Sequence, residues 1–434
     1  MTSRPKAGAQ LKAYLGLRVM LQPLMPLILR CRIARGKDDP TRWQEKMGCA
    51  SVKRPPGTVI WVHAVGLGEV MALRPLLAEM FRQSPNISFV ITSTARSSAA
   101  VIGDNLPTNS VHQFLPLDGP RYVRRFLDYW QPSLSILSEQ DFWPGVIYDT
   151  ANRDIPLAYI NARIAAESFA KRKKMRSIYR DLLPKFGLIA AQDEGSSQFL
   201  AKLGAPAPQI FSSLKPAAEP LKADENDLSC FKTQIGTRKV WVAASTHAED
   251  ETYVFAVQTL LSDEADRPLL IIVPRVPKRS AEIRDRIAEV GLTCAQRSQN
   301  ERPGPETDVY LADTFGELGL WYRVAKIAFM GASFGGLGGH NPWEPVCLGL
   351  SVLHGPATHN FAADYINLGR AGVAELIKET PEATQRIAEK VIKAMLVNDN
   401  FDRKNSNAVQ LVSDARAALV PLASQLIFLK APSP

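Results

Sequence analysis

FMGASFGGLGGHNPWEP, Phe329 to Pro345, is an apolar run that ends in glycines and turns polar just before a proline. That order describes a strand leaving a sheet and feeding the N-terminus of a helix, where backbone N–H groups can hold an anion without a charged side chain. WVHAVGLGEV, Trp61 to Val70, repeats the order in the first half of the chain. One such turn in each half predicts two α/β lobes facing each other across a cleft, the layout of a protein that handles a phosphorylated ligand.

The surrounding sequence agrees. TVIWVH, ISFVITST, LSILSEQDFWP and IPLAYINARI read as strands and alternate with helical stretches such as LGEVMALRPLLAEMFRQ, in which Leu73, Leu76, Leu77 and Met80 share one side. Strands alternating with helices indicate βαβ units and parallel sheets. KVWVAAST, PLLIIVPRV, VYLADT and KIAFMGA form a second set. The domain reading is a segment 1–40, a first Rossmann-like domain 41–220, a linker 221–239, a second Rossmann-like domain 240–405, and C-terminal helices 406–434 that pack back on the first domain.

Bulk properties exclude several classes. A chain of 434 residues with 46% hydrophobic and 22% charged residues suits two folded domains and not a disordered protein. No internal period recurs, which excludes a solenoid. Cys31, Cys49, Cys230, Cys294 and Cys347 are scattered and give neither a disulfide framework nor a zinc site. The net charge of +9 favours anionic partners. Nucleic acid is not among those expected, because no recognition-helix, RRM or zinc-finger pattern accompanies the charge. No metal is expected either: the chain has no DxD triplet, and His354 and His359 lie in a proline-broken loop.

The N-terminal stretch Leu11 to Leu29 is largely apolar, carries Pro23 and Pro26, and is followed by Arg30, Arg32, Arg35 and Lys37. Basic residues stand where a signal peptide needs small ones. The expectation is a membrane-associating helix, interfacial or a single anchor, with its basic flank on anionic headgroups. A helix docked on its own domain is the alternative.

Ordered blocks along nearly the whole chain carry a resemblance: HAVGLGEV, FLPLDGPRYVRRFL, SEQDFWP, INARI, AQDEGSSQFLAKLGA, ASTHAEDE, VPRVPKR, DTFGELGLWYRVAKIAFMGASF and GGHNPWEP. In these the chain resembles the 3-deoxy-D-manno-octulosonic acid (Kdo) transferases, enzymes of lipopolysaccharide biosynthesis. The resemblance implies a GT-B fold of two Rossmann-like lobes around a central cleft. It implies metal-independent inverting transfer of Kdo from CMP-Kdo to the lipid A precursor, without a cofactor, at the cytoplasmic face of the bacterial inner membrane. Another GT-B nucleotide-sugar transferase, or a weakened membrane-associated binding relative, is the alternative.

The resemblance puts the general base on Glu69, with His63 in support; helix capping is the alternative reading of this glutamate. On the donor side it implies Arg275 for the phosphate, Gly331, Ser333, Gly338 and Gly339 for close backbone approach, Asn341, Glu344 for the ribose hydroxyls, Ser245, and Lys215. Glu139, Asp141 and Arg163 form the rim of the first lobe, as sugar contacts or as a bracing ion pair. The chain departs from the family pattern at Gly66, Ala248 and Val276, and around Lys215, where Ser212, Ser213 and Pro216 replace the usual flanks. Gly66 stands in place of a serine, which implies altered acceptor fit with the base retained.

Overall fold

The computed structural model describes residues 7–94, 106–107, 109–139, 142–211, 213–262, 267–396 and 405–430. The chain divides into two compact units, Met1–Glu219 with Ala415–Pro434, and Pro220–Asp414.

In unit 1, β1 (Thr58–His63), β2 (Ile87–Ser93), β3 (Ser110–Phe114), β4 (Leu134–Ser138), β5 (Leu157–Ala162), β6 (Leu188–Ala191) and β7 (Gln209–Ile210) form a parallel sheet. Its order is β3-β2-β1-β4-β5-β6-β7. The central strands are buried along their whole length, as expected where helices cover both faces of a sheet. Chain order reverses between β1 and β4. The crevice at the carboxyl ends of those two strands is where open α/β sheets place their ligands.

In unit 2, β8 (Val240–Thr246), β9 (Leu269–Pro274), β10 (Cys294–Gln296), β11 (Val309–Leu311), β12 (Ile327–Met330), β13 (Ser351–His354) and β14 (Ala374–Leu376) form a second parallel sheet. Its order is β10-β11-β9-β8-β12-β13-β14, so the reversal falls between β8 and β12.

Two elements differ from the sequence reading. The stretch 221–239, read as a linker, contains the helix Glu225–Ile235, whose first turn is capped by the Asp224 carboxylate accepting from Asn226 and Asp227. Leu228, Phe231 and Ile235 bury one side of that helix in the core of unit 2. The C-terminal stretch is one helix, Ser406–Leu429. Leu419, Leu422, Ala423 and Leu426 join the core of unit 1 beneath the helix Leu67–Gln83. Among the described residues this is the one helix long and apolar enough to cross a membrane, by length and composition only.

The N-terminal segment is not a single helix. Helices Ala9–Leu21 and Met25–Ala34 are separated by a 3-10 turn at Gln22–Leu24, where Pro23 cannot continue the hydrogen-bond ladder. The first helix is fastened to unit 1 through a buried charge. Arg18, 4% exposed, pairs with Asp149 and lies 3.4 Å from Asp118. Asp118 also accepts from the Tyr14 hydroxyl at 2.7 Å and from the Gly145 N–H at 3.0 Å. Leu11 is fully buried one turn-pair earlier on the same side. The opposite side stays open, with Met20 76% and Leu27 60% exposed.

Replacing Arg18→Ala leaves two carboxylates without their guanidinium. The expected loss is about 3 kcal/mol of unfolding free energy in a urea titration. A loss below about 1 kcal/mol, the range of a surface pair, contradicts the anchoring role.

Candidate active site at the carboxyl ends of the two sheets

On unit 1, β1 ends at His63 and the helix Leu67–Gln83 begins after an extended N-cap, Gly66, that offers no side-chain acceptor. Glu69, third in the helix, turns back so that its Oε2 accepts the Val65 N–H at 2.8 Å. A carboxylate here meets both an orphan amide and the positive end of the helix. The capping geometry weighed as the alternative for Glu69 is therefore present, and it also fixes where the carboxylate sits. His63 is buried, with Nδ1 2.9 Å from Thr92 Oγ1 and 3.1 Å from Thr92 O. The same Thr92 hydroxyl accepts from Trp61 Nε1 at 2.9 Å. His63 is built into the β1–β2 pair.

Glu139 follows β4 with φ 59°, a left-handed conformation that side chains rarely adopt, and so does Asn161 in β5 with φ 50°. Asn161 Nδ2 donates to Glu139 Oε1 at 3.2 Å, and the Tyr159 hydroxyl donates to the Glu139 carbonyl at 2.5 Å. Asn161 Oδ1 accepts from the Leu214 N–H at 3.2 Å. That bond seats the 3-10 turn Lys215–Ala217 at the end of β5. Lys215, expected among the donor contacts, thus belongs to unit 1 and sits beside Asn161, a residue the sequence did not single out. Arg163 follows β5 directly. Asp141 lies outside the described residues.

Lys46 also went unnoticed in the sequence. It is buried, and its Nζ donates to the Thr94 carbonyl at 3.0 Å, while the Thr94 N–H reaches the Val65 carbonyl at 3.4 Å. Burial holds its pKa below the ordinary lysine value. A lone lysine in a mixed-charge stretch carries no motif that could have marked it.

On unit 2 the glycine-rich turn differs from its expected role. The Asp250 carboxylate is fully buried and accepts the N–H groups of Ala332 (2.7 Å), Ser333 (3.2 Å), Phe334 (3.1 Å) and His247 (3.0 Å). The amides expected to cradle a phosphate at this turn already hold a carboxylate of the chain. Burial raises the Asp250 pKa against the pull of those four amides. Ser333 is buried as well: its hydroxyl donates to the Met330 carbonyl at 2.6 Å and accepts the Gly355 N–H at 2.8 Å, tying β12 to β13. The Gly331 N–H is engaged by the Ala244 carbonyl, and a Cβ there would lie 2.3 Å from the Ser245 carbonyl oxygen. Gly331 and Ser333 are therefore architectural.

Gly338 has φ 98°, and a Cβ on it would meet His359 Nε2 at 2.5 Å. Gly339, at φ 75°, donates its N–H to the Ala332 carbonyl at 2.7 Å. The helix expected after Pro342 is a single turn, Trp343–Val346, too short to present a strong positive end.

What the turn does assemble is a polar cluster. Ser245, at φ 54°, interrupts the β8–β9 register and leads into His247. His247 Nε2 lies 3.4 Å from His340 Nε2, the two rings nearly parallel with centroids 5.6 Å apart. Burial, then Arg275 and His247, push the His340 pKa down to about 4, so it is neutral at physiological pH. Burial raises Glu344 to about 6, against a hydrogen bond from Asn341 and the charge of Arg275. Arg275 is exposed at the end of β9. The neighbouring Arg279 is not available in the same way, because it grips the buried Glu251 with two bonds of 2.9 Å. The cluster offers one guanidinium for a phosphoryl group, the neutral imidazole of His340 as a donor, and a carboxylate and an amide for hydroxyls. His340 was missed as a site residue although it stands inside the GGHN motif. Among the described residues no group of three or more His, Cys, Asp or Glu could hold a metal ion.

Two Rossmann-type sheets in one chain, each with polar side chains at the carboxyl side of its strand reversal, define a GT-B-like α/β fold. A UDP-GlcNAc 2-epimerase from Neisseria meningitidis shares it, with a TM-score of 0.57 at 14% identity over 86% of this chain and 99% of that one. A glycosyltransferase from Rickettsia africae shares it with a TM-score of 0.51 at 10% identity over 86% and 98%. At these identities the likeness concerns the fold alone.

Sequence comparison reaches further. Residues 41–218 match the family described as 3-deoxy-D-manno-octulosonic-acid transferase (kdotransferase). The chain is 30% identical to the 3-deoxy-D-manno-octulosonic acid transferase of Haemophilus influenzae over 94% of its own length and 95% of that protein. It is 35% identical to a probable mitochondrial 3-deoxy-D-manno-octulosonic acid transferase of Arabidopsis thaliana, over 81% and 80%. The chain belongs to the Kdo transferase family.

Glu344 supplies a pH test of the cluster. Its raised pKa means that between about pH 4.5 and 6 the folded chain binds a proton that the unfolded chain has released. Its contribution to stability is present below that window and is lost as pH rises through it, by about 2 kcal/mol. Glu344→Gln should therefore gain about 2 kcal/mol relative to wild type between pH 4 and pH 7.5 in urea unfolding. A difference that does not change with pH contradicts the buried carboxylate.

Proposed function

We propose that the chain transfers Kdo from CMP-Kdo to a hydroxyl of the lipid A precursor, with inversion and without a metal. The observation that carries this reading is co-linear similarity to Kdo transferases across both units, 94% of the chain in the Haemophilus comparison. In the reaction an acceptor oxygen bonds to the anomeric carbon of Kdo as the bond from that carbon to the CMP phosphate breaks. The acceptor proton goes to Glu69, and the electron pair of the broken bond leaves on CMP. Arg275 neutralises charge growing on the phosphate, while Glu344 and Asn341 bind the ribose hydroxyls. Lys46, Glu139 and Lys215 line the acceptor's edge of unit 1.

The acceptor is a lipid, so the reading includes association with the cytoplasmic face of an inner membrane. The helices Ala9–Leu21 and Met25–Ala34 support it through exposed Leu17, Met20, Leu24, Leu27 and Ile28, with exposed Arg30 and Arg35 beside them. A helical segment kinked at Pro23, with one exposed apolar side and a basic flank, suits the interface.

Purified chain incubated with a lipid A precursor and CMP-Kdo in the presence of a chelator should yield product heavier by Kdo, with CMP released. No product from CMP-Kdo together with product from a UDP-sugar contradicts the donor assignment. Activity abolished by the chelator and restored by a divalent ion contradicts metal independence.

A further inference from the structure

Beside the kink of the N-terminal helix lies an open cavity of about 470 Å³, lined by Gln22, Arg121, Arg124, Asp149, Asn152 and Arg153. Its charges are unevenly matched. Asp149 is paired with Arg18, and Arg153 with Asp128 at 2.8 Å. Arg121 and Arg124 are exposed, and neither guanidinium forms an ion pair with the described residues. Two cations without counterions therefore face a concavity large enough for a phosphate headgroup.

The cavity adjoins the exposed apolar side of the kinked N-terminal helix. Gln22, in the turn between the two helices, accepts the Arg121 N–H on its Oε1 at 2.8 Å, and its carbonyl accepts from the Tyr122 hydroxyl at 3.4 Å. Leu21 and Leu24, exposed on either side of Gln22, flank that turn. A ligand matching both features carries an anionic phosphate next to an aliphatic chain. No aromatic side chain lines the cavity to stack a base. We propose that this cavity binds the phosphate headgroup of an anionic bilayer phospholipid, Arg121 and Arg124 contacting the phosphate while the exposed apolar side of the kinked N-terminal helix enters the apolar layer. The inference rests on the membrane association proposed above and adds to it a headgroup site that selects for lipid charge.

The test is flotation of the full chain with phosphatidylcholine vesicles, with and without phosphatidylglycerol. A basic group near an anionic surface is worth about fivefold in binding, so the double variant Arg121→Gln/Arg124→Gln should lose roughly 30-fold on phosphatidylglycerol vesicles. It should match wild type on pure phosphatidylcholine. Lys378→Gln/Lys393→Gln, which removes the same charge from exposed sites on unit 2, should lose far less. Met20→Ser/Leu27→Ser separates the two readings, because it should weaken binding to both kinds of vesicle. If only the Met20→Ser/Leu27→Ser variant is impaired, the headgroup site is overturned while membrane association stands. If wild type and both variants fail to float with either vesicle, membrane association itself falls. If the arginine variant floats like wild type but has a raised KM for the lipid acceptor in detergent, the cavity holds acceptor phosphate and the proposal is overturned. An arginine variant equally weakened on both vesicles is also contrary to it. Unchanged near-UV circular dichroism establishes that the variants are folded.

Discussion

The second sheet is organised around one buried anion, the carboxylate of Asp250. It lies in the first turn of the helix after β8 and collects amides from its own turn and from three consecutive residues after β12. An unpaired buried carboxylate is costly, and so are four unpaired buried amides; together they satisfy one another. The consequence is geometric. With residues 332 to 334 held against Asp250, the chain after β12 folds tightly over the end of β8, and Gly331 is needed because any Cβ would strike the Ser245 carbonyl. The path of the loop then brings His340 to His247, with Asn341 and Glu344 following.

The first sheet uses different means for the same end. At the ends of β4 and β5, Glu139 and Asn161 hold left-handed backbone conformations and are joined to each other and to the turn that carries Lys215. At β1 the helix begins without a capping side chain, because Gly66 has none. Glu69 answers part of that deficit through Val65. A glycine N-cap costs only a few tenths of a kcal/mol relative to serine, and nothing lies within 4 Å of a Cβ built at Gly66. The departure from the family serine therefore leaves the helix start and the position of Glu69 intact, and what it removes is a hydroxyl at the site.

Much of this was legible in the sequence, for identifiable reasons. Strand and helix alternation, the two glycine-rich turns, and Arg275, Asn341 and Glu344 all lie in local patterns, and local patterns are what a sequence displays. The roles of the glycine turn were not legible. Whether an amide faces a ligand or Asp250 depends on a contact between residues more than 80 positions apart. Lys215 was singled out but its seat beside Asn161 was not legible, and Lys46 escaped altogether, since each is placed by a partner distant in the chain. The helix Glu225–Ile235 was hidden by its charges and by Pro216 and Pro220 just before it, although Asp224 is an ordinary N-cap. The N-terminal segment displays its apolar and basic character in the sequence, but its first helix is docked on unit 1, the alternative to the membrane-associating helix expected. That Arg18 would be buried against two aspartates could not be seen, because an arginine in an apolar helix is normally assigned to the surface.

The account stands on Glu69 as the proton acceptor. Glu69→Gln keeps an oxygen that can accept the Val65 N–H and so preserves the start of the helix, while removing the basicity. Single-turnover transfer from CMP-Kdo to the lipid A precursor, measured beside donor affinity by titration calorimetry, separates the two. The account predicts a rate constant lower by about 10²–10⁴-fold with donor affinity unchanged. A variant that transfers Kdo at the wild-type rate would contradict it.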